Sequence, residues 1–335
     1  MLLRDIRRPS TRRLNARTPG CQQTGYARPV TSGVRLGIGI PQAFPNMTID
    51  PARIAAFLQR AEALGFDSAW TQESPLGRMP TLDSLHLLTF AAGQTRRLRL
   101  GCAVHLVPLH NPVHLAKSLV TVDHLSGGRL IVGVGLGTPR YDPALQVESS
   151  TRVARFSESI RLMKALWTEP KITFAGRFFH LDNAAMEPKP VQQPHPPIWF
   201  GGSHPHALRR AVRLGDGFIG AGSTSSSDFA FQVRTLRAHL EEADRDPASF
   251  PISKRVYIAV DNNKQRASDR LAEWFTFNYG RSQHEHVAVW GSAPECAERL
   301  RDIGKSGAEL IVLTTLFDFD EQLERIATEL APQLT

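Results

Sequence analysis

Short apolar runs separated by amphipathic stretches recur along this chain at intervals of about thirty residues. The first are VRLGIGI at 34–40, FDSAWT at 66–71, LRLGCAVHLV at 98–107 and RLIVGV at 129–134. Each is short and nearly continuous in apolar character, as expected of a strand buried on both faces. The intervening stretches carry helix-start signals: Asp50 before Pro51, and Asn111 before Pro112, each supply a capping side chain ahead of a first-turn proline. Helices are predicted from 51 to Leu64, stopped by Gly65, then over 81–92 and 112–125. Strand and helix alternating through short turns is the pattern of parallel βαβ units.

Between 141 and 197 the alternation pauses. An amphipathic helix is predicted over 152–167, followed by KITFAGRFFHL, where Ala175, Gly176 and Arg177 favour a hairpin, and then by the proline-rich MEPKPVQQPHPP. This insertion after the fourth strand is long enough to cover a barrel mouth as a lid. Alternation then resumes with IWFG at 198–201, GFIGA at 217–221, KRVYIAV at 254–260 and ELIVLTTL at 309–316, with helices at about 228–243, 267–277 and 294–303. Eight such units favour a closed (β/α)8 TIM barrel over a doubly wound sheet, with functional residues at the C-terminal ends of the strands.

Composition changes little in this picture, and charge changes one part of it. The chain has 335 residues, 41% of them hydrophobic, and a net charge of +8. Seven arginines against one acid, Asp5, put +6 of that charge in residues 1–33, so the remainder carries only +2. That is no footprint for a phosphate backbone, and the tail has a single aromatic residue, Tyr26, so no nucleic-acid partner is expected. Residues 1–33 read as a disordered basic extension, and 34–335 as a single domain. Cys21, Cys102 and Cys296 form neither a disulfide framework nor a metal spacing, which favours a reducing, cytoplasmic setting and no metal. No apolar run approaches the length of a membrane span.

The chemistry concentrates in GGRLIVGVGLGTPRYD at 127–142. Gly133, Gly135 and Gly137 alternate with period two, so an extended backbone there presents one face without side chains. Such a face is either a packing device inside the barrel or a floor for a cofactor, and spacing leaves both open. It is not a dinucleotide fingerprint, because Thr138 stands where GxGxxG needs glycine and Pro139 follows.

Taken in order, GFDSAWTQES, RLRLGCAVHLVPLHNPVHLAKSLVTVDHLSGGRLIVGVGLG, MEPKPVQQPHPPIWFGGSHPHALRRAVRLGDGFI and GSAPECAERL with GAELIVL resemble the luciferase-like monooxygenase superfamily of flavin- and F420-dependent oxidoreductases. The resemblance implies the barrel, FMN or coenzyme F420 across the strand ends, a small organic substrate, NAD(P)H as a transient reductant, and a homodimer. It also implies a bulge in the third strand, often with a non-proline cis peptide, which falls at Cys102, Ala103 and Val104. Gly135, Gly137 and Thr138 would flank the ring. Gly201, Gly202, Ser203 and His204, with Gly222, Ser223 and Thr224, would form the phosphate-side loops at a helix start. Two departures stand out: the histidine after strand two and the glutamate after the strand-four glycines, found in many F420-dependent members, are here Ser74 and Thr138. Glu73 and His105 are the remaining candidates for proton transfer. The absent pair also keeps open a rival reading, a ligand-binding protein without turnover.

Overall fold

The computed structural model describes residues 33–45 and 47–334, so the basic extension, apart from Gly33, lies outside the described residues. Its strands are β1 (Arg35–Gly39), β2 (Ser68–Thr71), β3 (Arg99–Cys102), β4 (His105–Leu106), β5 (Leu130–Gly135), β6 (Ile172–Ala175), β7 (His180–Ala184), β8 (Ile198–Phe200), β9 (Gly217–Gly220), β10 (Ile252–Val260), β11 (Ala288–Gly291) and β12 (Leu310–Thr314). Its α-helices are α1 (Pro51–Ala63), α2 (Ser84–Gln94), α3 (Pro112–Ser126), α4 (Arg152–Thr168), α5 (Pro205–Leu214), α6 (Ser226–Glu242), α7 (Lys264–Tyr279), α8 (His284–Val287), α9 (Ala293–Lys305) and α10 (Phe319–Arg325).

Parallel pairings run β1–β2–β3–β5–β8–β9–β10–β12, and β12 returns to β1 with Leu310 opposite Arg35, which closes an eight-stranded barrel. The expected caps form: the Asp50 carboxylate accepts from the N–H groups of Ala52 and Arg53, and the Asn111 side chain accepts from those of Val113 and His114. Such caps satisfy N–H groups that the helix itself leaves unpaired.

Inside the barrel the filling is aromatic. Trp70 and Trp199 lie with ring centroids 5.8 Å apart, and Ile131, Ile219, Leu310 and Val312 complete the layer. Space for two indoles comes from glycines on neighbouring strands. A side chain at Gly101 would begin 2.5 Å from the Trp70 ring, and one at Gly217 would begin 2.7 Å from that of Trp199. The barrel interior is thus filled at this level.

Two elements depart from expectation. β11 extends the sheet beside the C-terminal half of β10, where Tyr257 faces Ala288, in a stretch not expected to be strand. The insertion after the fourth strand does form a helix and an antiparallel hairpin, but these dock on the outer helices, and of the expected lid Tyr141 reaches the mouth, where its hydroxyl lies 3.3 Å from Ser74 Oγ. The Glu158 carboxylate of α4 accepts from the N–H groups of Arg177, Phe178 and Phe179, fastening the hairpin to α4. Asp123 of α3 accepts from the backbone of Val191 and Gln192, so the proline-rich segment runs along the outer helices.

The aromatic layer gives a paired test. Gly101→Ala overpacks a fully enclosed ring and should cost about 1–3 kcal/mol. Gly93→Ala sits on the exposed side of α2 with nothing within 4 Å of the new methyl, and should stabilise by about 0.5–1 kcal/mol. Urea midpoints moving in opposite directions are the expected result.

Candidate active site

The site begins with a miscount between two strands. β3 pairs Gly101 with Ile131, whereas β4 pairs His105 with Val134, so four steps on one strand face three on the other. The extra residue is a β-bulge. It sits at Ala103–Val104, and the peptide bond between these two is cis, at the position implied by the resemblance. Both side chains are half-buried while their neighbours are buried, and both pack on the Trp70–Trp199 layer. They form the floor of the barrel's C-terminal end.

The glycine row of β5 exists for this bulge. A Cβ on Gly133 would fall inside the Cys102 carbonyl oxygen, one on Gly135 inside the Val104 methyl Cγ2, and one on Gly201 2.9 Å from Val104 Cγ1. Gly137, at φ +67°, has Leu106 Cδ2 2.7 Å from where its Cβ would lie. Packing is one role of this row, seen directly at Gly133 and Gly135. Gly137 and Thr138 are exposed at the rim, whereas Gly135 is buried.

Glu73, just beyond β2, is the carboxylate nearest the floor. Its Oε2 accepts from the Leu106 N–H at 2.6 Å, and its Oε1 lies 2.7 Å from His110 Nε2. Burial pushes the carboxyl up, but the His110 hydrogen bond and charge outweigh this and hold it below its ordinary range. For His110, burial pushes down and Glu73 more than restores it, so the imidazole titrates above its ordinary value. This pairing of His110 was not expected from the sequence. A histidine in a turn six residues past the bulge carries no periodic signal. His105 is fully buried, with its Nδ1 3.9 Å from Glu73 and neither ring nitrogen hydrogen-bonded among the described residues. Burial pushes it down to about 4, so it is a neutral ring at ordinary pH.

Beside Glu73 opens a solvent-connected cavity of about 170 Å³. Gln42, Gln72, Glu73, Ser74, Arg140, Tyr257, Thr314 and Thr315 line it at the strand ends, and Trp274, Asn278 and Tyr279 close over it from α7. Gln42 fixes its edge by donating to the carbonyls of Gln72 and Leu82, each at 2.7 Å, and by accepting from the Gln72 N–H. Ser74 Oγ lies 3.3 Å from the Tyr141 hydroxyl, to which Arg140 also donates. The covering element is therefore the end of α7, and no residue of 141–197 lines this cavity. Below Tyr257, the buried Arg255 guanidinium donates to the Tyr257 hydroxyl at 3.1 Å. Arg255 and Tyr257 were missed, although charged residues inside a strand with nine buried positions were an available signal.

The glycine loops occupy another part of the rim. Gly201, Gly202, Ser203 and His204 lead into α5, where His204 Nδ1 accepts from the His206 N–H at 3.2 Å as the helix cap. Gly222, Ser223 and Thr224 precede α6, which Ser225 caps by accepting from the Asp228 N–H. Lys254 holds this second loop from beneath: its ammonium donates to the carbonyls of Ala221, Thr224 and Arg255. Burial pushes the amine down to about 7.

Similarity to known proteins follows the same outline. The profile of the luciferase-like monooxygenase family matches residues 30–288, and the chain belongs to that family. It is 30% identical over 251 residues to an F420-dependent glucose-6-phosphate dehydrogenase of Kineococcus radiotolerans, covering 71% of this chain and 72% of the relative. In fold it is similar to an F420-dependent secondary alcohol dehydrogenase solved with an F420–acetone adduct, at TM-score 0.78 and 19% identity over 90% of this chain and 99% of that one. It is also similar to a monooxygenase from Streptomyces bottropensis, at TM-score 0.76 and 22% identity over 90% of this chain and all of that one.

The Glu73–His110 pair predicts a pH window. The His110 contribution to stability is complete below its unfolded value and is lost as pH rises through the raised folded value. That of Glu73 is complete above its unfolded value and is lost as pH falls through the lowered one. The two overlap at roughly pH 5–6. Glu73→Gln should therefore cost most there, about 1.5–3 kcal/mol, and less at high pH. Urea midpoints of both proteins at acid and alkaline pH test this.

Proposed function

We propose that this protein is an F420-dependent two-electron oxidoreductase that interconverts a small organic alcohol and its carbonyl compound. The observation that carries this reading is the juxtaposition of the bulged Ala103–Val104 floor with glycine loops at one side of the rim and a polar cavity at the other. The small floor side chains fit a flat ring. At the loops, Gly201, Gly202, Ser203, His204, Gly222, Ser223 and Thr224 would offer hydroxyls and helix-start N–H groups to a phosphate. Gly202 combines φ +153° with a Cβ position 2.9 Å from Ala207, so close backbone approach there is enforced by the fold itself.

Bound F420 would supply a hydride acceptor or donor at its central ring; FMN would add oxygen activation. F420 is favoured over FMN because the relative at 30% identity is an F420-dependent dehydrogenase. This chain's residues do the rest: Ala103 and Val104 support the ring, Gln42 and Glu73 fix the cavity edge, and α7 limits water entry. Glu73 lines the mouth with its charge committed to His110, while the neutral His105 lies beneath it. A homodimer and a cytoplasmic setting complete the proposal.

Titrating the purified protein separately with F420 and with FMN, then adding secondary alcohols and sugar phosphates, tests the reading. Binding of F420, followed by substrate-dependent loss of its visible absorbance, is expected. FMN binding alone would overturn the cofactor choice. F420 binding without bleaching across the panel would favour the rival binding protein. Light scattering checks the dimer.

A further inference from the structure

Among the described residues, the cavity beside the bulge contains hydrogen-bonding groups that the protein leaves unused. Thr314 Oγ1 and Thr315 Oγ1 are buried without partners, as is Arg255 Nη1 just below. Parallel register places Thr314 directly opposite Tyr257, so neighbouring strands, spaced about 4.8 Å apart, present two hydroxyl-bearing side chains side by side. Tyr257 is itself 1% exposed, and its hydroxyl has two neighbours: Arg255 Nη2 at 3.1 Å and the Tyr279 hydroxyl at 2.7 Å. The guanidinium can only donate. If Tyr279 also donates, both contacts are spent on the lone pairs of the Tyr257 oxygen, and its own proton is left for a third group.

We propose that Tyr257 is the catalytic residue that exchanges a proton with the substrate oxygen, that Thr314 donates the second hydrogen bond to that oxygen, and that Arg255 and Tyr279 are positioning residues. The proposal rests on the hydride-transfer reading and supplies the group that Ser74 and Thr138 do not.

The chemistry balances in either direction. In carbonyl reduction, the substrate carbon gains a hydride from a reduced deazaflavin, the C=O π pair moves to oxygen, and that oxygen takes the Tyr257 proton. The resulting tyrosinate faces two donors, one of them a cation, and is reprotonated from solvent through Tyr279, which is partly exposed at the end of α7. Alcohol oxidation runs the same steps backwards. Preorganised donors are what a developing oxyanion requires. Arg255 is held in place by its cation–π contact with the Tyr257 ring at 4.7 Å, and by the missing side chain of Gly222, where a Cβ would lie 2.9 Å from Arg255 Nη2.

The test uses the full chain and two variants, Tyr257→Phe and Tyr279→Phe, with circular dichroism and urea midpoints to establish folding. Tyr279 lies at a helix end, so its variant keeps the test usable if the more buried position proves intolerant. Three quantities are measured: F420 affinity, steady-state turnover, and affinity for para-nitrophenolate, an oxyanion probe that binds without cofactor. Tyr257→Phe should leave F420 affinity unchanged, lower kcat about 100-fold or more and weaken para-nitrophenolate about 10-fold or more. Tyr279→Phe should lower kcat and phenolate affinity about 5-fold, through loss of one donor. Wild-type kcat and phenolate affinity in a folded Tyr257→Phe variant would overturn the proposal while leaving the hydride reading intact. If wild type neither binds F420 nor turns over, that reading fails. In that event the phenolate comparison still decides the oxyanion site, and equal affinities in wild type and variant overturn it.

Discussion

The upper barrel depends on one close approach, the Cys102 carbonyl against the bare backbone of Gly133. Any side chain at 133 would occupy the same space as that oxygen. Because it cannot, the third strand is free to carry an extra residue, pair again at His105, and turn Ala103 and Val104 toward the mouth. Gly135 and Gly201 then make room for Val104 from two neighbouring strands. Three glycines on two separate stretches of sequence thus serve one irregularity on a third.

Electrostatics in the same region is arranged to be quiet. Glu73 could have been a reactive carboxylate at the mouth, but a backbone N–H and His110 take up its oxygens. His105, one residue past the bulge, is neutralised by burial instead. Fixed charge is therefore kept beside the floor, and free donors lie farther round the barrel, on β10 and β12. That separation suits a site where a flat ring and a small substrate occupy adjacent spaces.

Much of the fold was legible because buried parallel strands are apolar throughout and the helices announce their starts. Asp50–Pro51 and Asn111–Pro112 formed caps as read, and the eight barrel strands fell where the apolar runs lie. β11 escaped because Ala288–Gly291 is a four-residue run following a helical pattern, too short to show a period. The lid was drawn too broadly because a long insertion says nothing about where its parts dock. Glu158 and Asp123, which tie it to the outer helices, look in sequence like ordinary surface acids. Within the site, the bulge followed from family resemblance and its glycines from their spacing. Arg255, Tyr257 and Thr314 converge only through strand register, which no local pattern encodes.

Gly222 joins two parts of the rim that would otherwise be independent. Its loop rests on Lys254, its bare Cα faces the Arg255 guanidinium, and these two cations are consecutive on β10. The absence of a side chain at 222 thus lets the second glycine loop lie directly against the guanidinium that donates to Tyr257, so the loop and the mouth share one wall.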